Sequence, residues 1–165
     1  MTRPPGGDLA AQWKQICKDC SRITDGFVVV GFDGSPASRG ALAFAAGWGR
    51  RNAAWLVIVY VEQMTVQYVA EAVCAATAVP AMQCQPQALS AEVAAEVAQV
   101  MTGSPLPWTY VTTSGDVASE LECLADRLRA DAIIVGGSAR RARAMRTSVS
   151  RRLVASPHRI VVVVP

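Results

Sequence analysis

The chain has 165 residues, of which 52% are hydrophobic and 18% are charged, so it can bury the core of one globular domain and is not mainly disordered. Its longest apolar run, Ala53 to Val61, is too short to span a bilayer, and its N-terminus lacks the pattern of a signal peptide. We therefore expect a cytoplasmic domain without membrane contact.

The net charge of +3 is unevenly distributed, because no acidic side chain follows Asp131. The arginines of this C-terminal part are Arg140, Arg141, Arg143, Arg146, Arg151, Arg152 and Arg159. Such a segment fits contacts to phosphate, to an acidic partner or to nucleic acid, and it fits a solvated loop and helix face equally well. No helix-turn-helix or aromatic stacking pattern accompanies the arginines, so specific nucleic-acid binding is not predicted.

The five cysteines do not indicate a disulfide framework, since their number is odd and no signal peptide precedes them. Cys17 and Cys20 form a C-x-x-C pair, but the pair lies in a helical pattern ahead of the first strand, whereas a redox pair normally follows a strand. The other three stand alone: Cys74, Cys84 and Cys123. No tetrahedral zinc site is therefore predicted.

The first predicted elements are an N-terminal extension and a strand–turn–helix unit. Residues 1–25 form the extension, in which residues 8–21 have the spacing of a short helix, and residues 26–165 form the domain. Phe27 to Gly31 reads as a buried strand. Ser35 is the predicted N-cap and Pro36 the first position of a helix over residues 37–51. Its packing residues are predicted to be Leu42, Phe44, Ala45 and Trp48.

The remaining elements continue the alternation of strands and helices. Strands are predicted over residues 55–61, 108–112, 132–135 and 160–164, and helices over residues 90–101, 115–129 and 148–155. Residues 62–87 are assigned no fold beyond a helical pattern over residues 65–76. Because every strand is an uninterrupted apolar run, the pattern predicts an open parallel sheet with helices on both faces.

Two loops of this sheet suit a ligand, because ligands of open parallel sheets bind beyond the carboxyl ends of the strands. One loop runs from Gly31 to Ser35 after the first strand, and the other begins at Gly136 after the fourth. Their glycines permit close backbone approach, and a helix N-terminus offers amides to an anion. The one histidine, His158, has no nucleophile or carboxylate partner in its motif, and no catalytic fingerprint is present, so an enzyme is not predicted.

Four stretches of the chain resemble the universal stress protein family. VVVGFDGSPASRGALAFAAGWGRR resembles the opening strand, loop and helix of these proteins, and LVIVYVEQ is similar to their second strand. GDVASELECLADRLRADAIIVGGS resembles their third helix and fourth strand, and TSVSRRLVASPHRIVVVVP their last helix and edge strand. The resemblance covers about residues 27–165. It implies a Rossmann-like, adenine nucleotide alpha hydrolase-like fold with five strands in the order 3-2-1-4-5, and a homodimer that often forms through the last strand.

The resemblance also implies candidate ligand contacts. Family members that bind ATP hold the adenosine with an aspartate after the first strand and a valine at the end of the second, which correspond to Asp33 and Val61. The last serine of their phosphate loop corresponds to Ser148. Each position has a structural alternative, since Asp33 can cap its own turn, Val61 can belong to the core and Ser148 can be the N-cap of the last helix.

The phosphate loop itself departs from the family pattern, which is G-x-x-G, nine residues, then G-S or G-T. Gly136 or Gly137 fills the first position, but the second becomes Ala139 or Arg140 and the third becomes Thr147. The span between them is also two or three residues too short. The sequence resembles instead a shorter-loop, actinobacterial branch of the family that is not expected to bind ATP in the usual way.

The resemblance therefore predicts a homodimeric, non-enzymatic protein of the stress response, with weakened or lost ATP binding, no metal and unidentified protein partners. The last strand, Ile160 to Val164, gives a physical reason for the dimer, because a bare apolar sheet edge is rarely left unpaired. The alternative is an adenine-nucleotide switch that binds ATP with magnesium. In that case arginines such as Arg140 would replace the lost amide contacts with charge-assisted bonds to phosphate.

Overall fold

A computed structural model describes residues 26–62, 86–137, 149–156 and 159–165. Its elements, in chain order, are β1 (Gly26–Gly31), α1 (Pro36–Asn52), β2 (Ala54–Glu62), α2 (Pro86–Met101), β3 (Trp108–Ser114), α3 (Val117–Leu128), β4 (Ala132–Gly136), α4 (Val149–Ala155) and β5 (Ile160–Val164). The predicted elements of the domain are all present, with ends that differ by a few residues. The N-terminal extension with Cys17 and Cys20, and the helical pattern over residues 65–76, lie outside the described residues.

The five strands form one parallel sheet in the order β3-β2-β1-β4-β5, as predicted. Central strand β1 pairs with β2 on one side and with β4 on the other, so that Val30 is level with both Ile58 and Ile134. The strand order therefore reverses beside β1, and the carboxyl ends of β1 and β4 form the point where ligands bind in sheets of this kind.

A hydrophobic core lies on each face of the sheet, because successive side chains of a strand point to opposite faces. Helices α1 and α2 cover the face that carries Val30 and Ile58. Helices α3 and α4 cover the face that carries Val29 and Val57. Helix α3 buries an apolar stripe on this second face: Leu121, Leu124, Ala125 and Leu128. Within the described ranges, no helix has the length and apolarity needed to cross a membrane.

Helix α1 begins as predicted, with Ser35 as N-cap and Pro36 at the start of the first turn. Leu42 and Ala45 are fully buried, and Trp48 packs against the core at its margin. The expectation that Phe44 packs in the core was wrong, since 43% of its surface is exposed. On a helix, a residue two positions after Leu42 lies on the opposite side, which here faces away from the sheet centre.

Candidate functional site

The loop between β1 and α1 is shaped by its own side chains. The backbone N–H of Phe32 donates to the carbonyl of Val59 at 2.9 Å, so this loop starts as a continuation of β1. Asp33 is exposed, and its Oδ1 accepts a hydrogen bond from the N–H of Ser35 at 3.0 Å. Gly34 has a positive φ of 76°, a backbone conformation that favours glycine. Asp33 therefore has the turn-capping contact that was the alternative to a ligand contact.

The N-terminus of α1 is occupied by internal contacts. Ser35 Oγ accepts from the N–H of Ser38 at 3.2 Å, and the Ser35 carbonyl accepts from the Ser38 hydroxyl at 2.9 Å. The same carbonyl accepts from the N–H of Arg39 at 3.0 Å, while Pro36 has no N–H to offer. An anion at this helix end would have to compete with these bonds for the amides that usually bind it.

The two glycines at the end of β4 are explained by close packing. A Cβ atom on Gly136 would lie 2.5 Å from the backbone carbon of Ala37 and 2.7 Å from the nitrogen of Ser38, so no side chain fits between β4 and α1. The N–H of Gly137 donates to the carbonyl of Val164 at 2.6 Å, and a Cβ there would lie 3.2 Å from that oxygen. Neither glycine needs a phosphate to account for its presence.

The other candidate contacts are separated from this loop or lie beyond the described residues. Val61 is 9% exposed, and its side chain belongs to the core cluster that includes Ala118 and Leu121 of α3. The corresponding phosphate-loop positions lie outside the described residues: Arg140, Thr147 and Ser148. Among the predicted site residues, the structure therefore brings the loop of Asp33 and the glycines of β4 together around the first turn of α1, and places Val61 in the core.

An ion pair at the N-terminus of α3 was not predicted from the sequence. Asp116 is the N-cap of α3, and its Oδ2 accepts from the N–H of Ser119 at 3.0 Å. Arg152 of α4 donates from Nη1 to Asp116 Oδ1 at 2.5 Å. The hydrogen bond from Arg152, followed by those from Ser119, lowers the pKa of Asp116 to about 2. The Gly-Asp step marks the helix start in the sequence, but nothing in it identifies an arginine 36 positions later as the partner.

A second ion pair connects α1 to α2 beside the same loop. Arg39 Nε donates to Glu96 Oε1, which raises the pKa of Arg39. The other oxygen of Glu96 lies 3.7 Å from the position that a Cβ of Gly34 would take. Arg39 and Arg152 are thus both engaged with carboxylates at the carboxyl edge of the sheet, where Asp33 and Glu62 add further negative charge. At this edge two of the carboxylates are therefore balanced by arginines of the described residues.

A cavity of about 40 Å³ lies elsewhere, between α3, β4, α4 and β5. Its lining consists of Glu122, Asp126, Ile133, Leu153, Ser156, Arg159 and Val161. Arg159 donates to Asp126 at 2.8 Å across this region. The volume suits a water molecule or the tip of a side chain and is far below that of a nucleotide pocket, typically about 300 Å³ or more. In the part of the chain that is described, no group of three acidic, histidine or cysteine side chains is placed to hold a metal.

Comparison with known proteins identifies relatives of the whole domain. The model of the universal stress protein family matches residues 27–165. Among curated proteins, no sequence matches the chain significantly.

Solved structures have the same fold at low sequence identity. A universal stress protein family member from Burkholderia pseudomallei has a TM-score of 0.61 and 22% identity, over 85% of this chain and 96% of its own. The universal stress protein UspA from Lactobacillus plantarum has a TM-score of 0.64 and 19% identity, over 85% and 97%. The universal stress protein from Archaeoglobus fulgidus in complex with dAMP has a TM-score of 0.60 and 15% identity, over 87% and 99%. With the family model matched from the first strand to the last residue, the chain belongs to the universal stress protein family.

Proposed function

We propose that this protein is a cytoplasmic, non-enzymatic binding protein of the stress response, which works as a homodimer and binds ATP weakly or not at all. The observation that carries the proposal is the filled space around the first turn of α1. Asp33 and Ser35 cap the amides of this turn, and Gly136 of β4 packs against its backbone. At this helix start the N–H groups of Ser35 and Ser38 are bonded to side chains, and Pro36 has no N–H.

The sequence of the phosphate loop supports the same proposal. Where ATP-binding relatives use bare glycine backbone, this chain has Ala139 or Arg140 and then Thr147. A side chain at such a position takes the space that a phosphate oxygen would occupy. A loss of affinity is the expected consequence.

The edge strand β5 supports the homodimer. Among the described strands, β5 pairs only with β4, so its second edge carries unpaired backbone groups. Ile160 and Val163 of this strand are 62% and 39% exposed. An apolar strand with an open edge favours pairing with another strand, and a second copy of the chain supplies one at equal concentration.

The alternative proposal is an adenine-nucleotide switch. It draws support from the dAMP complex of the Archaeoglobus fulgidus relative, which shows that this fold can hold an adenine nucleotide. In this chain the phosphate contacts would have to come from arginines such as Arg140, with magnesium as the counter-ion. Asp33 would then exchange its capping bond for a contact to the nucleotide.

Calorimetric titration with ATP and magnesium separates the two proposals. We expect no heat of binding up to millimolar ATP for the full-length protein, and no phosphate release on prolonged incubation. Micromolar affinity that is lost in Asp33→Ala would establish the switch instead. Asp131→Ala is the matched control, because Asp131 is an exposed aspartate at the opposite end of the sheet, directly before β4.

A further inference from the structure

The indole N–H of Trp55 has no acceptor among the described residues. Its Nε1 atom is buried, and no atom of the described residues accepts a hydrogen bond from it. Buried side-chain donors are nearly always paired, because burial takes away their bonds to water. A bound water would need two or more polar partners of its own, whereas Trp55 packs against an apolar cluster. The donor therefore indicates an acceptor on a chain segment outside the described residues.

Trp55 belongs to a partly exposed surface at the amino end of the sheet. It is level with Phe27 of β1, and both side chains pack at the margin of the core under α3 and α4. Val57 and Val111, farther along the same face, are buried. Of the two helices on this face, α4 packs mainly against α3 and β5, so α3 is the main cover of β1 and β2. We call the two aromatic side chains the Phe27–Trp55 surface.

Of the four segments outside the described residues, one leads directly to this surface. Residues 63–85 follow β2 and residues 138–148 follow β4, so both leave the sheet at its carboxyl edge, which is the opposite end. Residues 157–158 precede β5, which lies three strand spacings, or about 14 Å, from β2. Residues 1–25 lead into β1 and end two positions before Phe27.

The sequence of residues 8–21 suits the Phe27–Trp55 surface. At helical spacing its large apolar side chains share one face: Leu9, Trp13 and Ile16. Lys14 and Lys18 fall on the opposite face. A helix of this length is marginal in water by itself, so it needs an apolar surface to pack against. Residues 22–25 link it to β1 and span at most about 14 Å, which keeps the helix beside the start of that strand.

We infer that residues 8–21 form a helix that docks its apolar face on the Phe27–Trp55 surface of the same chain, and that an oxygen of residues 1–25 accepts the hydrogen bond of the Trp55 indole. The docked helix adds apolar cover where α3 leaves the two rings partly exposed. The accepting oxygen replaces the water that the indole N–H loses on folding. Neither the homodimer nor nucleotide binding is involved, because the surface lies at the amino end of two central strands.

Limited trypsin digestion of the full-length protein tests whether the segment is docked. Ile16→Asp places a charge in the apolar face and should speed cleavage after Lys14 and Lys18 about tenfold or more, because the burial of the isoleucine is lost. Ala11→Asp is the matched control, since it introduces the same charge on the opposite face, and its cleavage rate should equal that of the wild type. Equal rates in the two variants would overturn the docked helix. A wild-type rate that rises on dilution would also overturn it, by placing the segment on a second copy.

Substitution of the tryptophan tests the docking position. Trp55→Phe keeps an aromatic ring but removes the donor, so cleavage after Lys18 should rise about fivefold. Trp108→Phe is the control, because Trp108 packs on the other face of the sheet, and it should leave the cleavage rate unchanged. In heteronuclear NMR spectra, the indole signal that Trp55→Phe removes should shift upfield in Ile16→Asp and stay in place in Ala11→Asp. If Ile16→Asp speeds cleavage while this signal does not move, the segment docks elsewhere and the assignment of Trp55 as its partner is wrong.

Discussion

The β1–α1 loop and the open edge of β5 differ in how many of their backbone polar groups are hydrogen-bonded and in how much of their apolar surface is buried. In the loop, Asp33 and Ser35 bond to the amides that follow them, and Gly136 closes the space beside the helix start. At the edge, the outward backbone groups of β5 have no partner strand among the described residues, and two of its five side chains are exposed.

From this difference we expect the molecule to interact with others through β5 and not through the β1–α1 loop. A loop whose amides are already bonded gains little from a phosphate, because new bonds only replace existing ones. A bare strand edge gains both hydrogen bonds and apolar burial on pairing. The family fold thus combines a capped β1–α1 loop with an open edge at the last strand.

The largest expected effect comes from a charge at the open edge. In the proposed homodimer, Val163→Glu places a carboxylate at the contact between the two β5 strands, and an unpaired buried charge costs about 3–5 kcal/mol. We therefore expect the dimer to weaken about a hundredfold or more, which light scattering over a dilution series measures. Val100→Glu is the control, because Val100 is also exposed, at 47%, but lies on α2. Equal dissociation by both variants would contradict a specific role of the edge.

The next largest effect is expected on the stability of the packing between the end of β4 and the first turn of α1. Gly136→Ala forces a Cβ against the backbone of α1, and overpacking of this kind costs about 1–3 kcal/mol. Gly40→Ala has the opposite expectation. Its Cβ would make ordinary contact with Val164, and replacing a glycine inside a helix gains about 0.5–1 kcal/mol. Urea denaturation measures the free energy of unfolding of both variants. If Gly136→Ala is as stable as the wild type, a methyl group fits between β4 and α1, which would contradict the close packing.

A smaller effect is expected from the cap of α1. Ser35→Ala removes the acceptor for the N–H of Ser38 and should lower the free energy of unfolding by about 1 kcal/mol. Ser35→Asp keeps an acceptor in the same place and should retain most of the stability. If the two substitutions destabilise the protein equally, the hydrogen bond to Ser38 does not stabilise the helix.

The smallest effect is a pH dependence from the ion pair of α3 and α4. The folded-state pKa of Asp116 is lowered to about 2 from 3.8, so its contribution is present above pH 3.8 and is lost as the pH falls toward 2. Asp116→Asn keeps a capping oxygen but removes the charge, so its melting temperature should change less between pH 5 and pH 2 than that of the wild type. A steeper acid loss in the variant would contradict this assignment. The pair is exposed, so salt should reduce the difference.

Much of the fold follows from local sequence patterns. The apolar runs of β1 and β4, and the Ser35-Pro36 step before α1, are signals that act within a few residues, and the structure confirms them. Phe44 was misplaced because an alanine-rich helix has little contrast between its faces.

The site was less accessible to sequence reasoning, because its decisive contacts connect distant residues. Gly136 was interpreted as a phosphate-loop glycine, and its contact with Ala37 depends on the crossing of β4 and α1, which no local pattern encodes. The pairing of Asp116 with Arg152 likewise depends on how α3 and α4 pack. Asp33 was open to either interpretation, and the bond to Ser35 shows its capping contact.

Light scattering of the full-length protein at micromolar concentration, with and without magnesium and ATP, tests the contrast between the closed loop and the open edge most directly. If the interaction surface is β5 and the nucleotide end is closed, the molar mass is that of a dimer in both conditions. A monomer without nucleotide that becomes a dimer on addition of ATP would contradict the account, because it would make the nucleotide end the element that controls assembly.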